Sequence, residues 1–323
     1  MAGTLDAVTA SSLLGTMWRI RCFEERVAQL KRTLQVHGLI HLSIGGEGVA
    51  AAVCGQLRAD DAVYSGHRAH GHAIAKGAPL DRLMAELMGR SGGLCRGLGG
   101  SMHVVDVEHG LLGATGVVGG NVPLALGNAL AARVRESDQA TVAFFGDGAA
   151  QAGHFCESVN LAALWQLPVI LVCENNGFAE FTPRSAHTPV QSVSDAVAPY
   201  GFERQTVEGS DVPAVYEAFA GYLQLARDGR GPMLLECLTH RRRGHYEGDQ
   251  QRYRDELADE QWQRHDPIAR FAGDALDRGW LTRRDVDELE LTARADVEAA
   301  VEAARASPFP EPELTGELVY ART

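Results

Sequence analysis

Between Thr141 and Cys173 the chain sets two apolar blocks around one mixed stretch. Thr141-Val142-Ala143-Phe144-Phe145 and Pro168-Val169-Ile170-Leu171-Val172-Cys173 are continuous apolar runs of strand length, the pattern of strands covered on both faces. Residues 154–166 place Val159, Leu161, Ala162 and Leu164 at helical spacing. Strand, helix and strand in this length make a parallel crossover, normally right-handed. Further on, Arg204-Gln205-Thr206-Val207 and Met233-Leu234-Leu235-Glu236-Cys237 read as strands around a helix near 212–227. The pattern predicts an α/β fold with a doubly wound parallel sheet.

Outside this unit the pattern changes. Residues 11–33 read as a helix that Ser11 or Ser12 can cap, with Leu14, Met17, Trp18, Val27 and Leu30 on an apolar face. Residues 255–306 are charged and helical. The tail PFPEPELTGELVY is broken by proline and expected to lie extended on a surface. Residues 40–110 are rich in glycine and histidine, which suits backbone passing close to a ligand or another chain more than a plain core. The expected organisation is one α/β domain over residues 1–323. It would carry a helical N-terminal extension to about residue 35 and a helical C-terminal region with its tail from about 255.

Composition narrows the function. Of 323 residues 45% are hydrophobic, enough to cover a large sheet on both faces. The formal charge of −12 argues against a nucleic-acid-binding surface. No stretch approaches the ~20 apolar residues that span a bilayer. The start MAGTLDAVTA lacks the pattern of a signal peptide. Six scattered cysteines show no disulfide or metal spacing, so free thiols and a cytoplasmic location are expected.

Gly146-Asp147-Gly148 and Glu174-Asn175-Asn176 both follow strands of the crossover. In a parallel sheet, ligands bind beyond the carboxyl ends of the strands. Asp147 and Asn176, 29 residues apart, could therefore converge at one edge. A carboxylate and an amide oxygen suit Mg²⁺, which completes its octahedron with water and phosphate oxygens. Gly146 and Gly148 would let backbone N–H groups approach those phosphates, helped by the N-terminus of the following helix. A GDG alone is more often a plain turn. Paired with ENN at the end of the next strand, it favours a magnesium–diphosphate site.

The segment GDGAAQAGHFCESVNLAALWQLPVILVCENNGF resembles the alpha subunits of the thiamine-diphosphate-dependent pyruvate, branched-chain 2-oxo-acid and acetoin dehydrogenases. FEERV at 23–27, HLSIGGEG at 41–48, HRAHG at 67–71, GLGGSMH at 97–103, GVVGGNVPLALG at 116–127 and RRGHYEGD at 242–249 match the same family in order. The resemblance implies a thiamine-diphosphate-binding fold and, as cofactors, thiamine diphosphate and Mg²⁺. It makes Asp147, Asn176 and the backbone carbonyl of Phe178 the metal ligands. Gly146, Gly148, Ala149, Arg68 and His67 would border the diphosphate, and the backbone at Gly116 and Val118 the aminopyrimidine. His245, His41 and His70 are the catalytic candidates. His67 stands where pyruvate-type relatives have tyrosine, and Tyr246 where mitochondrial relatives carry a phosphorylated serine. ENNGFAEFTP resembles acetoin-type or general bacterial members more than the pyruvate enzymes.

With one pyrophosphate-type half and no second domain for the pyrimidine, the resemblance implies a beta subunit in an α₂β₂ heterotetramer. It also implies a lipoyl-bearing acyltransferase as acyl acceptor, and a small 2-oxo acid or acyloin as substrate. Neither nucleic acid nor membrane is an expected partner. Two alternatives stay open. One is a two-subunit acyloin- or ketone-forming transferase with the same cofactor. The other is a Mg²⁺-dependent nucleotide-binding protein, although no G-x-x-x-x-G-K-[ST] is present. The histidines His67, His70 and His72 could pass for a metal site, but with Cys95 and His103 lacking zinc-ligand spacing they read as hydrogen-bonding scaffold. Phe23-Glu24-Glu25 reads as packing and helix surface. Arg241 to Arg243 read either as a solvated face or as part of a loop over the diphosphate.

Overall fold

The computed structural model describes residues 5–254 and 258–319. Expectations that touch residues 1–4, 255–257 and 320–323 lie outside the described residues.

The sheet has six parallel strands: β1 (Ala62–Ser65), β2 (Leu111–Ala114), β3 (Thr141–Gly146), β4 (Val169–Asn175), β7 (Glu203–Glu208) and β8 (Met233–Leu238). A separate antiparallel hairpin pairs β5 (Phe178–Ala179) with β6 (Thr182–Pro183). The order across the sheet is β2-β1-β3-β4-β8-β7. Successive residues of the central strands point to opposite faces. Val142, Phe144, Ile170 and Val172 enter one apolar core, and Ala143, Phe145, Leu171 and Cys173 enter another. Helices therefore cover both faces, and the sheet is doubly wound.

The order places the binding crevice. From β1 the chain turns to the β2 edge, whereas from β3 it turns the other way to β4. Connections that diverge from neighbouring strands leave a gap beyond their carboxyl ends, the topological switch point of an open α/β sheet. Residues following Ser65 and Gly146 border that gap.

Several sequence expectations are corrected. The first helix runs Ala7–Arg32, capped not by Ser11 or Ser12 but by Asp6, whose carboxylate accepts the Thr9 N–H at 2.8 Å. Residues 40–110 are not mainly ligand-facing loop. They supply β1 and the helices Glu47–Cys54, Ala69–Lys76 and Leu80–Leu87, most of whose residues are buried. Small side chains here allow close helix packing, so a composition read as loop also builds core. The tail is extended over 308–312, with Arg90 over the Phe309 ring, but then forms the helix Glu313–Val319.

Candidate active site

A cavity of about 380 Å³ occupies the switch point. Its wall includes His41, His67, Arg68, Gly116, Val118, Gly146, Gly148, Ala149, Asn176, Phe178 and His245. The structure thus brings together eleven residues singled out from sequence. Asp147 lies directly beneath them. His70 is not brought in.

At the strand ends, β3 and β4 pair in register up to Gly146 and Glu174, so the residues that follow leave the sheet side by side. Asp147 is fully buried. One carboxylate oxygen accepts the Asn176 N–H at 3.2 Å, and the other, also buried, has no hydrogen-bond partner among the described residues. The nearest cation, Arg184, stands 3.9 Å away. Burial raises this carboxyl to about 6. A buried carboxylate oxygen without a partner is costly unless something binds it.

The hairpin supplies the rest of this corner. The Arg184 N–H donates to the Gly177 carbonyl at 2.8 Å, which makes Phe178 and Pro183 a non-hydrogen-bonded pair. The Phe178 carbonyl is therefore turned away from its partner strand. Asn176 closes a turn with its side-chain oxygen accepting the Phe178 N–H at 3.2 Å. Buried Glu236 on β8 fixes that turn from behind, accepting the Asn175 amide at 2.7 Å and the N–H groups of Val193 and Ser194 at 3.0 and 2.9 Å. Carboxylate, amide oxygen and free carbonyl are hard oxygen donors, and they fit a Mg²⁺ ion. Gly148, which lines the cavity, also has a packing task. A Cβ there would meet the Ala179 Cβ at 2.8 Å, so glycine is required by the hairpin's close approach. A short 3₁₀ helix, Asp147–Gln151, also separates the strand end from the helix Gly153–Leu164.

Opposite the carboxylate stand two guanidiniums. Arg68 donates to the carbonyls of Leu42 and His245, each at 2.7 Å. Burial, and then Arg241, lower it to about 9. Arg241 is buried and donates to the Glu180 carbonyl and the Tyr253 hydroxyl, while its Nε has no partner. No carboxylate among the described residues lies within ion-pair distance of either group. Two such cations facing one cavity favour a multiply charged anion, and a diphosphate fits.

The rim is imidazole. The rings of His41, His67 and His245 lie 4.8–5.6 Å apart. Burial, followed by Arg68, lowers His41 to about 3, His67 to about 2 and His245 to about 4. All three are neutral near pH 7, each offering one donor and one acceptor. The backbone at Gly116 and Val118 forms a side wall. The Val118 carbonyl accepts from His154 Nε2 at 2.9 Å.

His70, expected among the catalytic candidates, is fully buried. One ring nitrogen meets Glu24 at 3.0 Å and the other meets Ser101 at 2.9 Å. It joins the Gly-rich segment to the first helix. Glu24, read from sequence as helix surface, is the hub of this contact and also accepts the Ser43 N–H and O–H at 2.9 and 2.7 Å. Glu174 and Asn121 also line the cavity and were not assigned from sequence, and Arg241 lines it too, one of the three arginines left open between a solvated face and a loop over the diphosphate. Arg241 could not be told from Arg242 and Arg243 by composition. Only its position next to the end of β8 turns it inward.

The dehydrogenase E1 component model matches residues 15–313. The alpha subunit of acetoin:2,6-dichlorophenolindophenol oxidoreductase from Bacillus subtilis is 43% identical over 91% of this chain and 88% of its own length. Its counterpart from Cupriavidus necator is 42% identical over 96% and 93%. The alpha subunit of the pyruvate dehydrogenase E1 component from Rhizobium meliloti is 40% identical over 91% and 85%. Members of this family use thiamine diphosphate with a magnesium ion. A match over this much of the chain leaves one assignment: the protein belongs to the dehydrogenase E1 component family.

Proposed function

We propose that this chain is the alpha subunit of a thiamine-diphosphate- and Mg²⁺-dependent dehydrogenase that cleaves acetoin or a closely related acyloin. It would act with a beta subunit in an α₂β₂ assembly. The carrying observation is the graded cavity, with oxygen donors at Asp147, Asn176 and Phe178, two cations at Arg68 and Arg241, and neutral imidazoles at the rim. Oxygen donors and cations hold the metal and diphosphate. The bound cofactor supplies an electron sink for breaking the carbon–carbon bond next to a carbonyl.

The chain's own residues then position and protonate. Arg68 and Arg241 would be taken up by the diphosphate, which leaves no further cation among the described residues lining the cavity to answer a 2-oxo acid's carboxylate. His41, His67 and His245 instead offer neutral donors and acceptors to a hydroxyl and a ketone. His245 Nδ1 lies 3.4 Å from Arg68 Nη2, so the residue that would bind the diphosphate also orients an imidazole that could move a proton.

The need for a partner is supported by an exposed apolar face. Leu124, Val134, Leu164 and Trp165 are exposed on the packed helices Asn121–Val134 and Gly153–Leu164 or just beyond them, and exposed Val118 continues that face to the cavity. Such a patch marks an interaction surface.

The test is a dye-linked assay of the chain co-expressed with its beta subunit. Acetoin should be turned over, with pyruvate and branched 2-oxo acids at least about tenfold slower in kcat/KM. Equal or faster turnover of an oxo acid would overturn the acyloin assignment. Activity of the chain alone would overturn the need for a partner.

A further inference from the structure

A second cluster of ligand-type side chains lies behind the active site. It contains Glu208 at the end of β7, His240 two residues after β8, and His265 at the end of the helix Ala258–His265. One ligand atom from each lies within 4.8 Å of the others. His265 Nδ1 stands 3.7 Å from the Glu208 carboxylate and, although buried, has no hydrogen-bond partner. The two imidazole rings stack at 4.0 Å with 24° between their planes. Glu208 and His240 line a cavity of about 410 Å³ that also touches Asn176, Phe178 and Arg241 from the side away from the imidazole rim. The cluster plays no part in the cofactor site described above.

We propose that Glu208, His240 and His265 form a second metal site, selective for a late first-row divalent cation such as Zn²⁺ over Mg²⁺. Two imidazoles and one carboxylate are the donor set of a three-ligand zinc site, whereas Mg²⁺ prefers oxygen alone. Tetrahedral bonds of ~2.1 Å put ligand atoms roughly 3.4 Å apart. The observed spread therefore closes by about an ångström, within reach of side-chain rotation. Ring stacking must relax as the two nitrogens turn to a common point. With neutral imidazoles the occupied site would keep one net positive charge, and its fourth position would take a water or a small anion.

The site would join three separate segments. His240 immediately precedes Arg241, so a bound metal would tie the root of the active-site segment 241–254 to β7 and to the helix ending at His265. Occupancy would restrain the segment that carries Arg241 and His245 without touching the cofactor.

The experiment uses the metal-free full chain, titrated calorimetrically with Zn²⁺ under excess Mg²⁺. One Zn²⁺ per chain should bind. His240→Ala and His265→Ala should each weaken binding by more than about tenfold. Glu208→Gln should weaken it less, and Asp147→Asn should leave it unchanged, which separates this site from the magnesium corner. Co²⁺ loaded in place of Zn²⁺ should give the intense visible bands of a four-coordinate ion in unmodified protein. That reading does not depend on any variant folding. Weak octahedral bands, thiolate charge transfer from a cysteine, or unchanged Zn²⁺ affinity in the His240→Ala/His265→Ala double variant would each overturn the proposal.

Discussion

On one side of the cavity, Asp147 and Asn176 leave neighbouring strands whose pairing continues to the last residue before each turn. On the other, His41, His67 and His245 come from three segments that share no ladder with one another, and they meet at 4.8–5.6 Å. Sheet geometry alone aligns the first group. The second depends on buried carboxylates that collect backbone N–H groups and donor side chains. Glu24 holds Ser43 and His70. Glu47 holds the Gly45 N–H at 2.8 Å and Arg21. Glu86 takes four N–H groups, from Cys95, Gly97, Gly99 and Gly100, at 2.7–3.0 Å. A loop can be held as firmly as a strand when charged acceptors satisfy its donors. Such clamps concentrate its stability in a few side chains.

The sharpest way to break this comparison is at the strand-end side. Asp147→Ala should abolish Mg²⁺-dependent binding of thiamine diphosphate, because the one carboxylate in the donor set is lost. Asn176→Ala removes a neutral donor and should weaken binding less. Calorimetry of the chain assembled with its partner measures both. Unchanged affinity in Asp147→Ala would show that the metal binds elsewhere.

On the loop side the largest effect falls on stability. Glu86→Gln keeps the shape of the side chain but turns an amide donor toward N–H groups that also donate. The expected loss is on the order of 3 kcal/mol. Hydrogen exchange should rise at 92–103, while Asp147 and its neighbours keep their protection. An unchanged melting temperature with unchanged exchange at 92–103 would rule out the clamp.

This asymmetry also explains what the sequence could reveal. Apolar runs and their spacing identify β3, β4, β8 and the helices between them, because burial on both faces leaves a continuous signature, whereas β7 is a largely exposed edge strand without one. The magnesium corner follows, since both donors are tied to strand ends. Glu24, Glu86 and Glu236 carry no such signal. Each looks like an ordinary charged residue on a helix or strand, and its burial depends on loops that arrive from far along the chain. His70 was misplaced for a related reason. A histidine among glycines looks the same facing a cofactor as bonded to a buried glutamate and serine. The helices and strand within 40–110 were hidden by small residues that serve tight packing and loops equally.

The imidazole rim predicts a pH dependence. Unfolded histidines titrate near 6.5, but His41, His67 and His245 are lowered to about 3, 2 and 4 in the folded chain. Between those values and 6.5 the unfolded state binds more protons, so stability is fully present above 6.5 and falls as pH drops toward 4. Metal-free Asp147 acts in the opposite sense, since its carboxyl is raised to about 6 and the folded state holds the extra proton. Three groups against one leave a net acid destabilisation. His67→Gln should flatten it, measured as the difference in melting temperature between pH 7.5 and pH 5. Equal slopes in the two proteins would remove His67 from the balance.

The smallest effect concerns segment 241–254, which belongs to neither kind of construction alone. Its acids are already engaged. Asp249 accepts the N–H of His245, the hydroxyl of Tyr253 and the N–H of Gln251 at 2.7–2.8 Å, and Glu247 pairs with Arg32 of the first helix at 2.9 Å. Arg241 instead donates to the Glu180 carbonyl and the Tyr253 hydroxyl, not to Glu247 or Asp249 as a self-contained rigid loop would require. Arg241 keeps an unpartnered Nε inside the cavity wall. Exposed Gly248, at a φ of 109°, permits a backbone change at the loop's tip. A diphosphate beside Arg68 and Arg241 adds attraction that offsets the entropy of ordering the segment. Thiamine diphosphate with Mg²⁺ should then slow hydrogen exchange across 241–254 by roughly tenfold, with little change in β3 and β4. Equal exchange with and without cofactor would mean that the existing tethers hold the loop as firmly as the sheet holds the magnesium corner. His245→Ala separates the two cases further. If the loop orders around the anion, the variant should bind cofactor nearly normally and lose turnover, because the imidazole sits over the phosphate end while Asp249 and Arg68 still hold its backbone.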